Sequence, residues 1–212
     1  MLFPKNIFHA ISFLAFFINF SFAQTKKEKV IVYDPVDSLV CIKEGDLIIE
    51  PNVGFPFFWT YILSSYYDDA KRANLNSSPH IGGKAEYLVT ENVGLGIEIT
   101  WANATMNYQY LGINDVYRVS VSKLRILGKI NYHFAVNEEF DVYANAGAGF
   151  KYIAGSDNGP SSKRINFKEF NAIPFSIRMS AGCRYFFNPQ FGLFGEFGVG
   201  GPLLSFGASI KF

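Results

Sequence analysis

Covalent catalysis needs a nucleophile and a base within hydrogen-bond reach, and few residues of this sequence are spaced to supply them. There are three histidines, His9, His80 and His133, and two cysteines, Cys41 and Cys183. His80 follows Ser77 and Ser78 closely enough for a hydroxyl and an imidazole to meet, but no neighbour in sequence orients the ring. Asp68-Asp69 and Asp157-Asn158 offer oxygens to calcium without the spacing of a full calcium loop. Gly147-Ala148-Gly149 is not a phosphate loop; its glycines simply alternate. The sequence therefore names no catalytic residue, no cofactor-binding residue and no metal ligand. The expectation is a protein that is not an enzyme and carries no cofactor.

A larger set of ionisable residues has a different pattern. Glu50, Glu86, Glu98, Asp141 and Glu196 recur at alternate positions of segments whose intervening residues are apolar. Lys84, Lys123, Arg125, Lys129, Lys151, Arg178, Arg184 and Lys211 do the same. Charges placed this way share one face of a strand, because successive side chains point to opposite sides. A face carrying both signs can neutralise itself. Its chemistry is either a narrow ion path or a plug of paired charges, and buried charges must pair. An interior too small for water favours the plug.

The elements that position these charges are read from period two. Ile173 to Tyr185 and Leu204 to Phe212 alternate almost without fault, and so do Phe140 to Tyr152 and Leu95 to Trp101. Ile48, Leu127 and Phe194 fall on the polar side. Val119 and Val121 are out of phase with Leu124, which predicts a bulge. The count is about eight strands. Short connections near 91–94, 135–138 and 188–190 alternate with long ones near 56–80, 107–118 and 155–170, and Gly200-Gly201-Pro202 is a short exception. Aromatics cluster beside the short turns: Tyr87, Tyr132, Phe134, Phe140, Tyr185, Phe187, Phe191 and Phe212. Phe55, Trp101, Phe150 and Tyr152 gather toward the other end. Two such girdles belong to a membrane barrel.

The first residues have the form of an export signal. Lys5 gives the positive start, Ile7 to Phe20 is almost wholly apolar, and Ser21-Phe22-Ala23 places small residues before a cut ahead of Gln24. No lipobox cysteine follows. The domain reading is 1–23 signal peptide, 24–44 a periplasmic lead-in with a short strand at Val30 to Tyr33, and 45–212 barrel. A formal net charge of +1 gives no electrostatic footprint for nucleic acid. Cys41 and Cys183 are not expected to bond.

Ser209-Ile210-Lys211-Phe212 resembles the terminal signal of outer-membrane barrels, whose final aromatic helps recognition by the barrel assembly machinery. Gly83-Lys84-Ala85-Glu86-Tyr87, followed by Gly94-Leu95-Gly96-Ile97-Glu98, resembles the second and third strands of the small OmpA-like and OmpX-like barrel family. The resemblance covers residues 45–212. It implies an all-β fold, an eight-stranded antiparallel up-and-down transmembrane β-barrel, exported to the bacterial outer membrane as a monomer. The expected role is to stabilise the envelope and to present external loops. Expected partners are outer-membrane lipid and lipopolysaccharide, the assembly machinery through Phe212, and an external partner at loop 56–80. In that loop Trp59 and Tyr67 are the contact residues, and part of the stretch from Phe57 to Tyr67 continues the first strand above the membrane or packs in the outer girdle. The alternatives are a lipid-modifying enzyme of the same membrane and a soluble secreted ligand-binding barrel. Intact-mass measurement of the mature protein should give a chain beginning at Gln24; a retained Met1 would remove the export argument.

Overall fold

A strand between lipid and a packed interior must alternate, and the alternating segments form strands. The computed structural model describes residues 41–56, 59–67, 70–110, 115–160 and 165–212. The predicted signal and most of the lead-in, Val30 to Tyr33 included, lie outside the described residues. In chain order the elements are β1 (Leu47–Phe55), α1 (Trp59–Tyr66), β2 (Ala70–Ser77), β3 (His80–Leu88), β4 (Val93–Tyr110), β5 (Tyr117–Val136), β6 (Phe140–Asp157), β7 (Phe175–Phe186), β8 (Phe191–Val199) and β9 (Leu204–Lys211).

All pairings are antiparallel. β1 pairs with both β3 and β9, and the further pairing of β4 with β5 closes an eight-stranded ring. β2 stands outside that ring. It pairs with β4 above the point where β3 does, Ser77 opposite Ala104 and Ile81 opposite Trp101. Pro79, which has no N–H to donate, lies between β2 and β3. The Ser78 N–H still reaches the Asn103 carbonyl at 2.9 Å. β2 thus prolongs β3 past a proline break.

The strands differ in height. β1 and β8 have 9 residues and β9 has 8, whereas β4, β5 and β6 have 18, 20 and 18. Roughly 9–11 tilted residues cross one hydrocarbon core. The short strands match a single crossing, and β4–β6 continue beyond it as a tall outer wall. Outward positions along the crossing, such as Leu95, Ile130, Ile177, Leu193 and Phe197, are 48–60% exposed. The aromatics predicted for the two girdles all point outward. An exposed apolar band of this extent is at rest only in lipid.

The inner face corrects two expectations. No bulge separates Val121 from Leu124: β5 stays in register with β6 from Val119 to His133, and pairing shifts at His133–Ala135. The period is intact; what changes is the inner face, which turns apolar above the membrane. Ala102, Ala104, Met106, Tyr108, Val119, Val121 and Ile153 point inward and form one cluster with Leu63, Tyr67 and Ile165. Residues 107–110 and 117–118, read from the sequence as parts of a connection, belong to the strands of the wall.

The second correction concerns the aromatic run after β1. It does not continue the first strand. From Trp59 on it forms α1, with Leu63 in the helix and Tyr67, four residues later, directly after its end. Both are buried in the cluster, and Tyr67 stacks on Tyr108 with ring centres 4.1 Å apart. Tyr67 is therefore core rather than a contact residue. Tyr61, Ile62 and Tyr66 keep their exposure.

Asp157 ties this cap together. It accepts hydrogen bonds from the Tyr67 hydroxyl, from Tyr108 at 2.9 Å, and from the Gly159 and Ile165 N–H groups at 2.8 and 3.1 Å. Burial opposes its charge, but these bonds, Tyr67's first, hold the carboxyl below its ordinary value of 3.8. Burial pushes the Tyr67 hydroxyl up, and the carboxylate beside it adds to the shift.

At the other end Cys41, Ile42, Ile48, Leu88 and Phe186 pack together. Cys41 donates its N–H to Asn137, and its carbonyl accepts from Lys211 Nζ, both at 2.7 Å. Burial raises the Cys41 thiol to about 11, and neither cysteine is bonded.

A carboxyl whose pKa falls on folding stabilises above its unfolded value and stops doing so as pH drops through the folded one. Protection of the Gly159 and Ile165 amides, taken relative to intrinsic exchange at each pH, should therefore fall below about pH 4, while β7–β9 amides stay protected. Asp157→Asn should loosen the same amides at neutral pH by about 1–3 kcal/mol. Unchanged protection in that variant would show that Asp157 does not hold the cap.

Candidate functional site

The inner face of the crossing strands carries two tiers of charge. The tier nearer the short turns is centred on Arg184 of β7. Its guanidinium spans three carboxylates from three strands: Glu50 of β1 at 2.7 Å through Nε, Asp141 of β6 at 2.8 Å through Nη1, and Glu86 of β3 through Nη2. The planar fork of arginine is suited to such bridging. Tyr143 lies against its face, 4.3 Å from Cζ to ring centre. Ser209 donates to Glu50 at 2.8 Å. His133 of β5 stands between Asp141 and Glu86, 2.7 Å from one at Nδ1 and 2.9 Å from the other at Nε2.

The outer tier is centred on Glu196 of β8 and Glu98 of β4. Glu196 meets Lys84, Arg178 at 3.0 Å and Lys129 at 3.7 Å, and accepts the Ser180 hydroxyl at 2.6 Å. Glu98 meets Arg125 at 2.6 Å, Lys129 at 3.1 Å and Arg178 at 3.7 Å. Lys84 sits over the Phe194 ring at 4.2 Å and links the tiers through Glu50 at 3.9 Å. Phe194, apolar on the charged face, thus has a cation as its neighbour.

The short exception in the connections has a structural reason. The β8–β9 hairpin turns inward over the outer tier. The Gly200 carbonyl accepts from Arg125 at 2.7 Å and the Pro202 carbonyl from Arg178 at 2.8 Å. A Cβ at Gly201 would meet both guanidiniums as they stand and would push them from their places. Gly200 has φ +85°, in the left-handed region that suits it.

All five predicted inner carboxylates enter the two tiers, with five of the predicted cations: Lys84, Arg125, Lys129, Arg178 and Arg184. Ten side chains of opposite sign therefore balance before His133 is counted. Lys211 pairs instead with Asp46 at 3.4 Å, at the short-turn end. Lys123 and Lys151 lie half-buried above the tiers, outside these ion pairs. The space left among Glu50, Lys84, Lys129, Tyr143, Arg184 and Glu196 is about 10 Å³, near the least volume that takes one water. The alternation exposed the face of Tyr143, Ser180 and Ser209, but gave no sign of their bonds.

The predicted hydroxyl–imidazole neighbourhood is arranged differently. His80 is the first residue of β3 and is buried. Ser78 Oγ is engaged by the Asn103 backbone, accepting its N–H at 2.9 Å. Asp68 and Asp69 lie outside the described residues. Asp157 is used by the cap, and Asn158 accepts the Arg118 N–H at 2.6 Å. Among the described residues no group of three His, Cys, Asp or Glu side chains is placed to hold a metal.

A closed antiparallel ring with an apolar belt outside and paired charges inside defines a transmembrane β-barrel. The chain belongs to the outer membrane protein beta-barrel domain family, whose model matches residues 51–203. Among solved structures, the N-terminal β-barrel domain of Pseudomonas aeruginosa OprF is similar at 16% identity, with 81% of this chain and 100% of that one covered and a TM-score of 0.40. P. aeruginosa OprG is similar at 12% identity, with coverages of 80% and 97% and a TM-score of 0.45. Ail, the attachment invasion locus protein of Yersinia pestis, stands at 10% identity, with coverages of 80% and 99% and a TM-score of 0.40. No curated protein matches the sequence.

Breaking a buried ion pair by removing one partner costs about 3–5 kcal/mol. Glu196→Gln strips Lys84, Lys129 and Arg178 of their shared carboxylate. Urea unfolding in lipid vesicles should show a loss of that order, while Glu139→Gln, an exposed carboxylate at a short turn, should change stability by less than about 0.5 kcal/mol. Equal effects would mean that the tier is solvated.

Proposed function

We propose that this protein is a non-enzymatic outer-membrane barrel whose lumen is a structural plug and not a pore. The observation that carries this reading is the balance of five carboxylates against five lysine and arginine side chains, six of which line a cavity of about 10 Å³. An ion entering would have to displace a guanidinium or ammonium from a carboxylate in a low-dielectric interior, where such pairs are hardest to part. The hairpin over Arg125 and Arg178 and the α1 cap packed on the inner side of the tall wall add two further obstructions.

In this reading the barrel acts as a monomer that stabilises the envelope, and the outer cap displays Tyr61, Ile62 and Tyr66 of α1 to an external partner. Aromatic side chains are favoured at such contacts. Phe212 serves the assembly machinery. It is 65% exposed beside the β1–β9 seam, where its N–H and carbonyl pair with Leu47 at 2.9 and 3.1 Å. A lipid-modifying enzyme gains nothing from this geometry. His133 is held between two carboxylates, and Ser78 is spent on the backbone of β4.

Purified protein in planar bilayers should show no steady conductance across the voltages a porin withstands. Stable, large openings of the unmodified protein would refute the plug. Deleting Phe212 should lower the yield of the heat-modifiable form in cells without altering the absence of conductance.

A further inference from the structure

We propose that the outward face of the tall wall, just above the lipid belt, binds the neutral sugars of an outer-leaflet glycolipid. The proposal rests on the reading of this barrel as embedded in lipid with its long connections outside.

The pairing registers place the residues. Trp101, Asn103, Thr105 and Asn107 follow one another on the outward face of β4. Asn74 and Asn76 of β2 stand opposite Asn107 and Thr105. Ser122, Ser120 and Arg118 of β5 stand opposite Asn103, Thr105 and Asn107. Paired residues of an antiparallel sheet share a face, so these side chains form one ladder of amides and hydroxyls. Among the described side chains that line its groove, Arg118 carries the single charge.

Part of the ladder is tied into place. Asn103 donates to Ser122, and Thr105 bonds Ser120, both at 3.3 Å. The rest is unspent: the exposed amides of Asn74, Asn76 and Asn107 make no side-chain hydrogen bond among the described residues. Together they line a groove of about 550 Å³ with Trp101 at its foot, within the range of small-ligand sites.

The chemistry selects the occupant. An amide offers both a donor and an acceptor, which matches the hydroxyls of a sugar. A phosphate would need more cations than the one, Arg118, among the groove's described lining, and a protein partner would look for an apolar centre. The position agrees. Trp101 belongs to the outer aromatic girdle, where the lipid belt ends, so the groove continues an established lipid interface upward into the layer where glycolipid sugars lie.

The test uses the mature full-length protein in detergent micelles with two probes, lipopolysaccharide bearing its core sugars and lipid A without them. Native mass spectrometry should show the sugar-bearing probe bound about tenfold more tightly. In the double variant Asn76→Leu with Asn107→Leu the two probes should bind alike, while the barrel keeps its heat-modifiable migration. Three results would overturn the proposal: equal binding of both probes to the unmodified protein, an undiminished preference in the double variant, or loss of the preference in Arg118→Ala alone, which would assign recognition to phosphate. None of these touches conductance, so the plug stands or falls separately.

Discussion

Hydrocarbon offers no partner to a backbone N–H or carbonyl, so every such group in the crossing must be paired within the chain. The ring of β1 and β3–β9 is the consequence. Closing at eight strands fixes an interior only wide enough for side chains, and that width dictates what the inner face can hold. Charges placed there have little water to turn to. They must find one another, and Arg184 with three carboxylates and Glu196 with three cations are the two knots in which they do.

Why the inner face is charged at all follows from the same constraint. With lipid outside, an apolar inner face would leave a strand without a preferred orientation, since a slip of one residue exchanges its two faces. A buried ion pair adds little net stability over well-packed apolar groups. Its weight lies in penalising the wrong face, where Arg178 or Glu86 would meet hydrocarbon alone. Above the membrane that penalty vanishes. There the wall turns its polar side to solvent and its apolar side inward, and Leu63 and Tyr67 cover it. The chain reverses the polarity of its faces at the membrane boundary without shifting the phase of its strands.

This reversal marks the line between what was legible in the sequence and what was not. In the crossings, alternation identified the lipid face, the girdles, the ring of eight and the inner charges, because both environments there are uniform. At Val119 and Val121 the same alternation reads as a shift in phase, since the sequence does not show where lipid gives way to water. Helix α1 was hidden for a related reason. Its aromatic run suits a strand, and what favours a helix is the cluster that Leu63 and Tyr67 join, with Tyr108 stacked on Tyr67 from far along the chain. The pairings inside the lumen were illegible too. Glu50 and Arg184 are 134 positions apart, and the sequence placed them on one face without joining them. The hairpin at Gly200 showed only as a connection too short for its side.

The central claim is that the inner charges interact in a dry, low-dielectric interior rather than across water. A double-mutant cycle on Arg184→Met and Glu86→Gln, followed by urea unfolding in lipid vesicles, tests it most directly. In a dry lumen, removing Glu86 relieves part of what the loss of Arg184 costs, so the double variant should be more stable than the sum of the two single losses by at least about 1 kcal/mol. Additivity within about 0.5 kcal/mol would mean that water screens the pair, and would contradict the account.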